Sequence, residues 1–278
     1  MIRFEETLAP GAFLTLEAER ILYAGRSEFQ EIQVFETAAL GRVLALDGIV
    51  QTTERDEFVY HEMLTHLPLF AHGGAKRVLI IGGGDGGMLE EALKHPVERV
   101  TLVEIDPKVI EVSREWLPSV CGQAFEDPRT ELVIGDAAKF VAETEARYDL
   151  VIVDSSDPVG PATVLFSDPF YRNCRRCLAP GGILVTQNGV AFFQGHQITA
   201  THGHLKQLFP HCGFYLAPVP TYVGGFMAFG WASERDLTQP PADLDARVAG
   251  AGFALSYYNA DVHRGAFALP GFVRRLMA

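Results

Sequence analysis

A glycine-rich loop between a buried strand and a helix constrains the fold of this chain more than any other feature. Gly82, Gly84 and Gly87 form the pattern GxGxxG directly after the apolar run VLIIG and at the head of a helix-like segment. Glu104 lies twenty positions beyond Gly84, at the end of the next apolar run. In nucleoside-binding folds an acid at this spacing contacts the ribose diol. The pattern therefore predicts a nucleoside site in an α/β domain.

The charge inside the loop indicates which kind of nucleoside is bound. Asp85 occupies the variable position at the start of the helix. A pyrophosphate at this place would meet repulsion that cancels the attraction of the helix terminus for phosphate. An S-adenosyl compound carries the same ribose and adenine with a sulfonium cation in place of phosphates, so it fits better. Asp136 opens a later helix, where it is expected to contact the adenine edge, to cap the helix, or both.

From Arg77 onwards the sequence alternates between strand-like and helix-like segments. Runs such as VLIIG and LVIVD are typical of strands that are buried on both faces of a parallel sheet. After GGILVTQNG, two strand-like runs surround the turn from Val223 to Gly225 and predict a closing antiparallel hairpin. We therefore expect a doubly wound α/β sheet.

The first fifty-four residues have a different pattern. FLTLEAERILY, FQEIQVFE and GRVLALDGIVQTT alternate apolar and polar residues and predict short antiparallel strands, with Asp47-Gly48 as a hairpin turn. ERDEFVYHEMLTHLPLF then places Phe58, Val59, Met63 and Leu67 at helical spacing. The predicted organisation is an N-terminal β domain over residues 1–54 and a Rossmann-like catalytic domain over residues 55–278.

Acidic residues follow the ends of several predicted parallel strands. They are Asp85, Glu104, Asp136, Asp154 and Asp157. Because ligands bind beyond the carboxyl ends of the strands in open α/β sheets, these side chains are expected to line one cleft. The motif segments contain no lysine or arginine, so the arrangement is unfavourable unless cations fill the cleft.

Composition excludes several partners. The chain has 23 Lys plus Arg against 35 Asp plus Glu, a formal charge of −12, which does not suit a phosphate backbone and disfavours nucleic acid as a partner. No apolar run approaches the length that spans a bilayer, and MIRFEETLAP does not resemble a signal peptide. We expect a cytoplasmic protein without nucleic-acid or membrane partners.

The four cysteines are too few for a disulfide scaffold at this length. Cys174 and Cys177 form a CxxC, but no second pair stands at zinc spacing. Their segment, FYRNCRRCL, has a helical pattern, and packing is the expected role of both thiols. No metal site is predicted.

At the level of motifs, the sequence resembles the polyamine aminopropyltransferases, most closely the spermidine synthases. The matching stretches are LDGIVQTTERDEFVYHEM, VLIIGGGDGG, VEIDP, VIGDA, DSSDPVGP, PTYVGGF and YYNADVHRGAFALP. The resemblance implies a Rossmann-like sheet of the S-adenosylmethionine methyltransferase type with a small N-terminal antiparallel β domain. It also implies a homodimer or homotetramer.

By this resemblance, the aminopropyl group of decarboxylated S-adenosylmethionine passes to a diamine, usually putrescine, giving spermidine, methylthioadenosine and a proton. No cofactor is implied, because the nucleoside is a co-substrate. The residues implied to contact the nucleoside substrate are Gln30, Asp85, Glu104, Asp136, Ala137 and Pro161. Those implied on the amine side are Tyr60, His61, Asp85, Asp154, Asp157 and Tyr222. Asp154 is the implied proton acceptor, with Tyr60 beside it. Ala137 departs from the glycine that many members have there.

The deprotonation of the amine poses a chemical problem. A free amine has a pKa near 10.4, and an ordinary aspartate is mismatched to it by about six pH units. Our hypothesis is that Tyr60, the second ammonium of the diamine and desolvation under the loop DSSDPVGPATVLF lower the pKa of the amine. Asp154 would then orient the amine and relay its proton.

Three alternative functions remain open from the sequence. The first is a methyltransferase that uses intact S-adenosylmethionine on the same fold, and the second is a polyamine-binding regulatory protein without turnover. The third, an NAD dehydrogenase, is disfavoured by Asp85. The preferred amine, whether putrescine, cadaverine, agmatine or spermidine, is not determined by the sequence. His263 and Arg264 have no assigned role.

Overall fold

The structure is a computed structural model, and it describes residues 2–156 and 160–278, with residues 160 and 161 described by their backbone alone. The strands in chain order are β1 (Ile2–Ala9), β2 (Ala12–Ala18), β3 (Arg20–Arg26), β4 (Glu31–Thr37), β5 (Gly41–Leu46), β6 (Ile49–Thr53), β7 (Arg77–Gly82), β8 (Arg99–Glu104), β9 (Thr130–Ile134), β10 (Tyr148–Asp154), β11 (Leu178–Val190), β12 (His211–Ala217) and β13 (Met227–Ser233).

The helices lie mostly in the second part of the chain. They are α1 (Glu57–His72), α2 (Gly87–Leu93), α3 (Pro107–Trp116), α4 (Pro118–Cys121), α5 (Ala137–Glu143), α6 (Asp168–Cys177), α7 (Gly195–Leu208), α8 (Leu244–Ala249), α9 (Ala260–Ala266) and α10 (Gly271–Leu276). Short 3₁₀ turns cover Ala124–Glu126 and Gly160–Phe166.

The central sheet has seven strands in the order β12-β13-β11-β10-β7-β8-β9. β11, β10, β7, β8 and β9 are parallel, whereas β13 pairs antiparallel with both β11 and β12. Successive residues of β7 point to opposite faces, and both faces are buried. Val78 and Ile80 pack with α1 and α2, and Leu79 and Ile81 pack with α6 and α7. The predicted doubly wound sheet with a closing hairpin is confirmed.

The N-terminal strands form two smaller sheets, one of β1 and β2 and one of β3 to β6, all antiparallel. Asp47 and Gly48 both have positive φ between β5 and β6, as the predicted hairpin turn requires. Phe4 of β1 packs on Phe35 and Val43 of the larger sheet. The other face of that sheet packs on α3, which brings the N-terminal strands to the edge of the central cleft.

Candidate active site

Four acidic residues follow four adjacent parallel strands. Along the sheet their order is Asp154 at the end of β10, Asp85 after β7, Glu104 at the end of β8 and Asp136 after β9. Asp154 pairs in register with Gly82, and the backbone oxygen of Glu104 accepts a hydrogen bond from Gly135 N–H at 2.9 Å. The parallel topology therefore brings these predicted acids to one rim.

A cleft of about 540 Å³ opens at this rim. Of the residues singled out from the sequence, those that line it are Gln30, Tyr60, Asp85, Glu104, Asp136, Ala137, Asp154 and Tyr222. Its described lining also includes Glu6 and Asp47, which makes six carboxylates, and contains no lysine, arginine or histidine. The cleft therefore has the electrostatic character of a site for cations.

The glycine loop brings backbone and carboxylates close together. Gly82 has a φ of +81°, and a Cβ there would lie 2.1 Å from the backbone oxygen of Asp154. A Cβ at Gly84 would lie 3.0 Å from a carboxylate oxygen of Glu104. Asp85 accepts a hydrogen bond from Gly87 N–H at 3.0 Å. Glycine is required at Gly82 because a side chain would separate β7 from β10.

Glu104 is a buried carboxyl at the end of β8, where it lines the cleft. One oxygen accepts a hydrogen bond from Asp106 N–H at 2.9 Å. Burial raises the pKa of Glu104 to about 7, with further contributions from the charges of Asp106 and Asp154. A ligand that donates hydroxyl hydrogen bonds or brings positive charge would compensate for this desolvation.

Gln30 and Asp136 are held by local hydrogen bonds. Gln30 donates its side-chain N–H to Asp106 at 2.9 Å, which joins the segment between β3 and β4 to the start of α3. Asp136 caps α5 by accepting from Ala138 N–H at 2.7 Å and from Lys139 N–H at 3.3 Å. The capping role of Asp136 is thus confirmed, and its other oxygen stays free of these bonds.

Tyr60, Asp154 and Tyr222 form the other wall. The Tyr60 hydroxyl donates to Asp154 Oδ1 at 2.5 Å. The rings of Tyr60 and Tyr222 meet edge to face at 5.6 Å, and the Tyr222 hydroxyl donates to the backbone oxygen of Gln51. Burial, followed by the charge of Asp85, raises the pKa of Asp154 to about 7. Burial and the charge of Asp154 also raise the pKa of Tyr60, so the phenol stays a donor.

Three predicted residues are not seen in the described lining. The His61 side chain is 2% exposed and lies behind Asp85, with Nε2 at 3.4 Å from Asp85 Oδ2. Asp157 lies outside the described residues, as does the side chain of Pro161. Their predicted substrate contacts stay predictions.

Several lining residues were not anticipated. Glu6 on β1 accepts from Val50 N–H at 3.0 Å, and Gln187 on β11 donates to the backbone oxygen of Ser155 at 2.7 Å. Gln187 stands at the carboxyl half of a strand in the central sheet, a position that could have indicated it. Glu6 had no such signal, because the strand that carries it was not predicted.

His263, Arg264 and the CxxC lie away from the cleft. His263 is buried with Nδ1 at 2.7 Å from the Tyr258 hydroxyl, and Arg264 pairs with Asp245 at the surface. Cys174 and Cys177 are buried free thiols on α6.

In residues 2–156 and 160–278 no group of three or more His, Cys, Asp or Glu side chains is placed to hold a metal ion. Within the same residues no helix has the length and apolarity needed to cross a bilayer.

Two protein-family models match the chain. The spermine/spermidine synthase domain covers residues 57–240, and the spermidine synthase tetramerisation domain covers residues 2–54. The chain is 53% identical over 276 residues to polyamine aminopropyltransferase 1 of Pseudomonas aeruginosa, covering 98% of this chain and 96% of that one. It is 47% identical over 279 residues to polyamine aminopropyltransferase of Escherichia coli O157:H7, covering 99% of this chain and 97% of that one.

Solved structures give the same result. A crystal structure of spermidine synthase in complex with the transition-state analogue AdoDATO superposes with a TM-score of 0.94 at 38% identity, covering 99% of this chain and 94% of that one. Spermidine synthase from Thermotoga maritima superposes with a TM-score of 0.92 at 37% identity, covering 99% of this chain and 94% of that one. The glycine loop, the acidic rim and the N-terminal strands therefore occur together in a chain that belongs to the spermidine synthase family of polyamine aminopropyltransferases.

Proposed function

We propose that this enzyme transfers the aminopropyl group of decarboxylated S-adenosylmethionine to putrescine, releasing spermidine, methylthioadenosine and a proton. The single observation that carries the proposal is the six-carboxylate lining of the cleft without a basic side chain among its described residues. Both proposed substrates are cations, and carboxylates between them reduce their mutual repulsion. The reaction requires no cofactor, because the nucleoside is consumed.

The charge of the nucleoside distinguishes this donor from intact S-adenosylmethionine. Decarboxylation leaves a sulfonium and a terminal ammonium without a carboxylate. Asp85 stands in the glycine loop, where an α-carboxylate would meet its negative charge. The decarboxylated donor replaces that repulsion with attraction. The cleft therefore favours aminopropyl transfer over methyl transfer.

The nucleoside is proposed to lie along the rim from Glu104 to Asp136. Glu104 would accept hydrogen bonds from the ribose diol, with Gln30 at the same side, and Asp136 with Ala137 would contact the adenine. Pro161 is proposed to contact the nucleoside. This arrangement is supported by the order of the strands, which spaces Glu104 and Asp136 along one edge of the sheet.

The amine is proposed to bind between Asp154, Asp85, Tyr60 and Tyr222, with Asp157 nearby. Its neutral nitrogen attacks the aminopropyl carbon next to sulfur while the carbon–sulfur bond breaks and its electron pair goes to sulfur. Positive charge thus moves from sulfur to the amine nitrogen, and the one proton that the reaction releases is the one that the ammonium loses to become the neutral nucleophile. Holding both reactants in line can be worth roughly 7 to 11 kcal/mol of the barrier.

Asp154 is better matched to proton transfer than its residue type suggests. With its pKa raised to about 7, the gap to a free amine near 10.4 is about three pH units instead of about six. Tyr60 donates to Asp154 and so orients the carboxyl towards the cleft. Asp154 and Tyr60 are the proposed catalytic residues.

We further propose that the protein is a cytoplasmic homodimer or homotetramer. The match of residues 2–54 to a family model described as a tetramerisation domain supports an assembly through the N-terminal strands. Biosynthesis of a small cationic metabolite from a nucleoside donor is consistent with the cytoplasm.

The test is a product analysis with the purified protein. Decarboxylated S-adenosylmethionine is supplied with putrescine, cadaverine, agmatine or spermidine, and each product is identified by its mass together with methylthioadenosine release. We expect spermidine from putrescine at the highest rate. Absence of methylthioadenosine with all four amines, or methylation from intact S-adenosylmethionine, would refute the proposed function.

A further inference from the structure

The imidazole of His61 lies between two carboxylates, one layer behind the cleft. Its Nδ1 is 2.6 Å from Glu57, one turn earlier on α1, and its Nε2 is 3.4 Å from Asp85. A carboxylate only accepts hydrogen bonds, whereas a neutral imidazole has one N–H. Both contacts are favourable together only when the ring carries both protons and is a cation.

Gly87 provides the space for this ring. A Cβ at Gly87 would lie 2.2 Å from Cε1 and 2.3 Å from Nδ1 of His61. The N–H of Gly87 also donates to Asp85 Oδ1, while His61 approaches Oδ2. The third glycine of the loop therefore admits the imidazole and helps to fix the carboxylate that the imidazole faces.

The contacts of His61 give the two carboxylates of the amine side, Asp85 and Asp154, different pKa values. Burial disfavours the charged ring, but Asp85 and then Glu57 outweigh it and raise the pKa of His61 well above its usual value. Burial likewise disfavours ionised Asp85, yet the His61 charge holds the pKa of Asp85 below its usual range. Among the described residues Asp154 forms no ion pair, and its pKa is about 7.

We propose that His61 is a positioning residue, an imidazolium held by Glu57 that fixes Asp85 in its ionised form, so that Asp154 is the carboxylate that accepts the proton of the reaction. This inference rests on the proposed aminopropyl transfer. It concerns the charge of His61, and the amine contact that the family resemblance implies for this residue stays a separate prediction.

The charged and titratable groups around the ring are few. On α1 it faces Glu57 and the ring of Tyr60, whose centroid is 5.6 Å away. From the loop before α2 it faces Asp85, and the charge of Asp154 acts across Tyr60. Glu90 of α2 interacts with Glu57. All of these acids favour the charged ring.

Three variants separate the possible roles of His61. His61→Gln removes the charge and keeps a hydrogen-bonding side chain. Glu57→Gln removes a carboxylate outside the described cleft lining, so its effect on the reaction must pass through His61. His66→Gln is the matched control, because His66 is a buried histidine of the same helix that contacts Glu91 at 2.8 Å.

The first measurement is the pH profile of kcat/KM. Loss of a neighbouring positive charge makes the pair Asp85 and Asp154 bind protons more readily, so His61→Gln should move the acidic limb upwards by about one pH unit. Glu57→Gln should move it in the same direction by less, and His66→Gln should leave it in place. If the acidic limb stays in place in both His61→Gln and Glu57→Gln, the proposal is overturned. This holds whether the variants raise KM for the amine or only lower the thermal stability.

The second measurement does not depend on the reaction. In protein labelled with ¹⁵N-histidine, a ring with both nitrogens protonated should persist at pH 8 in the wild type and be lost in His61→Gln. A neutral ring for His61 at that pH would overturn the proposal. If the wild type has no aminopropyl transfer activity, the proposed function fails while this spectrum still decides the charge of His61.

Discussion

The pKa of Asp154 depends on its surroundings more than on its residue type. Burial and the nearby charge of Asp85 raise it, and the hydrogen bond from Tyr60 only partly opposes them. Sequence motifs could identify Asp154 as the candidate proton acceptor, but they could not show how deeply the carboxyl is buried. The sequence-based mismatch of about six pH units was therefore too large.

Replacing Asp154 tests its role in the chemical step. Asp154→Asn keeps the shape of the side chain and removes the proton acceptor, so single-turnover transfer should slow by about 10² to 10⁴-fold. Methylthioadenosine binding should change much less. Rapid-quench measurement of the transfer step checks this expectation, and a rate within a few-fold of the wild type would show that Asp154 does not accept the proton.

The two carboxyls with a pKa of about 7, Asp154 and Glu104, predict a pH-dependent stability. Their pKa values are higher in the folded protein than in the unfolded chain, so folding favours the protonated forms. This stabilisation is complete below about pH 4 and is lost as the pH rises through 7.

Between pH 5.5 and pH 8 the ligand-free protein should therefore lose thermal stability from these two groups, and decarboxylated S-adenosylmethionine should restore it. Calorimetry in buffers of different ionisation enthalpy should detect proton release when the donor binds at pH 7. Proton uptake on binding would contradict the predicted ionisation of the cleft.

Residue positions were predictable where topology determines them. Asp85, Glu104, Asp136 and Asp154 follow parallel strands, and the carboxyl ends of such strands share one edge. The placement of His61 was not predictable, because its contact with Asp85 depends on the side-chain space left by Gly87. Such side-chain contacts form between elements whose relative orientation cannot be derived from the sequence.

At the scale of elements, one buried aspartate joins the segment before α1 to the loop that carries Tyr222. Asp56 accepts hydrogen bonds from the Thr53 hydroxyl at 2.6 Å, from Thr221 N–H at 2.7 Å and from the Thr221 hydroxyl at 2.5 Å. Tyr222 follows directly and forms part of the cleft wall. Asp56 therefore determines where the loop between β12 and β13 lies.

Removing this anchor should affect both stability and catalysis. Asp56→Ala leaves three buried donors without their charged acceptor, and we expect a loss of roughly 3 kcal/mol in the free energy of unfolding. Leu205→Ala, a core substitution on α7, should give a comparable loss and serves as the control. Urea unfolding and steady-state kinetics check both variants. Equal kcat/KM in Asp56→Ala and Leu205→Ala would contradict a specific role of Asp56 in placing Tyr222.

The prediction of elements succeeded where the hydrophobic pattern is long and unbroken. The strands β7, β8 and β10 and the helix α1 follow directly from their apolar residues. The stretch FLTLEAERILY, expected to be β structure, belongs to both β2 and β3, and the pattern did not indicate β1. These strands are half exposed, so their alternation is weak and their ends are not marked by apolar runs.

The C-terminal segment is held by contacts that no local pattern indicates. Glu62 is buried on α1 and accepts hydrogen bonds from the backbone N–H groups of Ser256, Tyr257 and Tyr258 at 2.6 to 2.9 Å. His263 then contacts the Tyr258 hydroxyl. The motif YYNADVHRGAFALP thus has a bracing role in this structure, to which His263 contributes through Nδ1.

At the scale of the molecule, the cleft is built from all three sheets. β1 contributes Glu6, the sheet of β3 to β6 contributes Gln51, and the central sheet contributes the acidic rim. The formal charge of −12 adds a long-range attraction for cationic substrates. The fold class was predictable from the sequence, whereas the participation of β1 in the cleft required the structure.

The most direct test of the account is a comparison of two dissociation constants. Isothermal titration calorimetry at one pH and ionic strength gives Kd for decarboxylated and for intact S-adenosylmethionine, which differ by the carboxylate that Asp85 should repel. A preference of at least about tenfold for the decarboxylated donor, about 1.4 kcal/mol, is predicted. Equal or tighter binding of intact S-adenosylmethionine would contradict a cleft that selects cations.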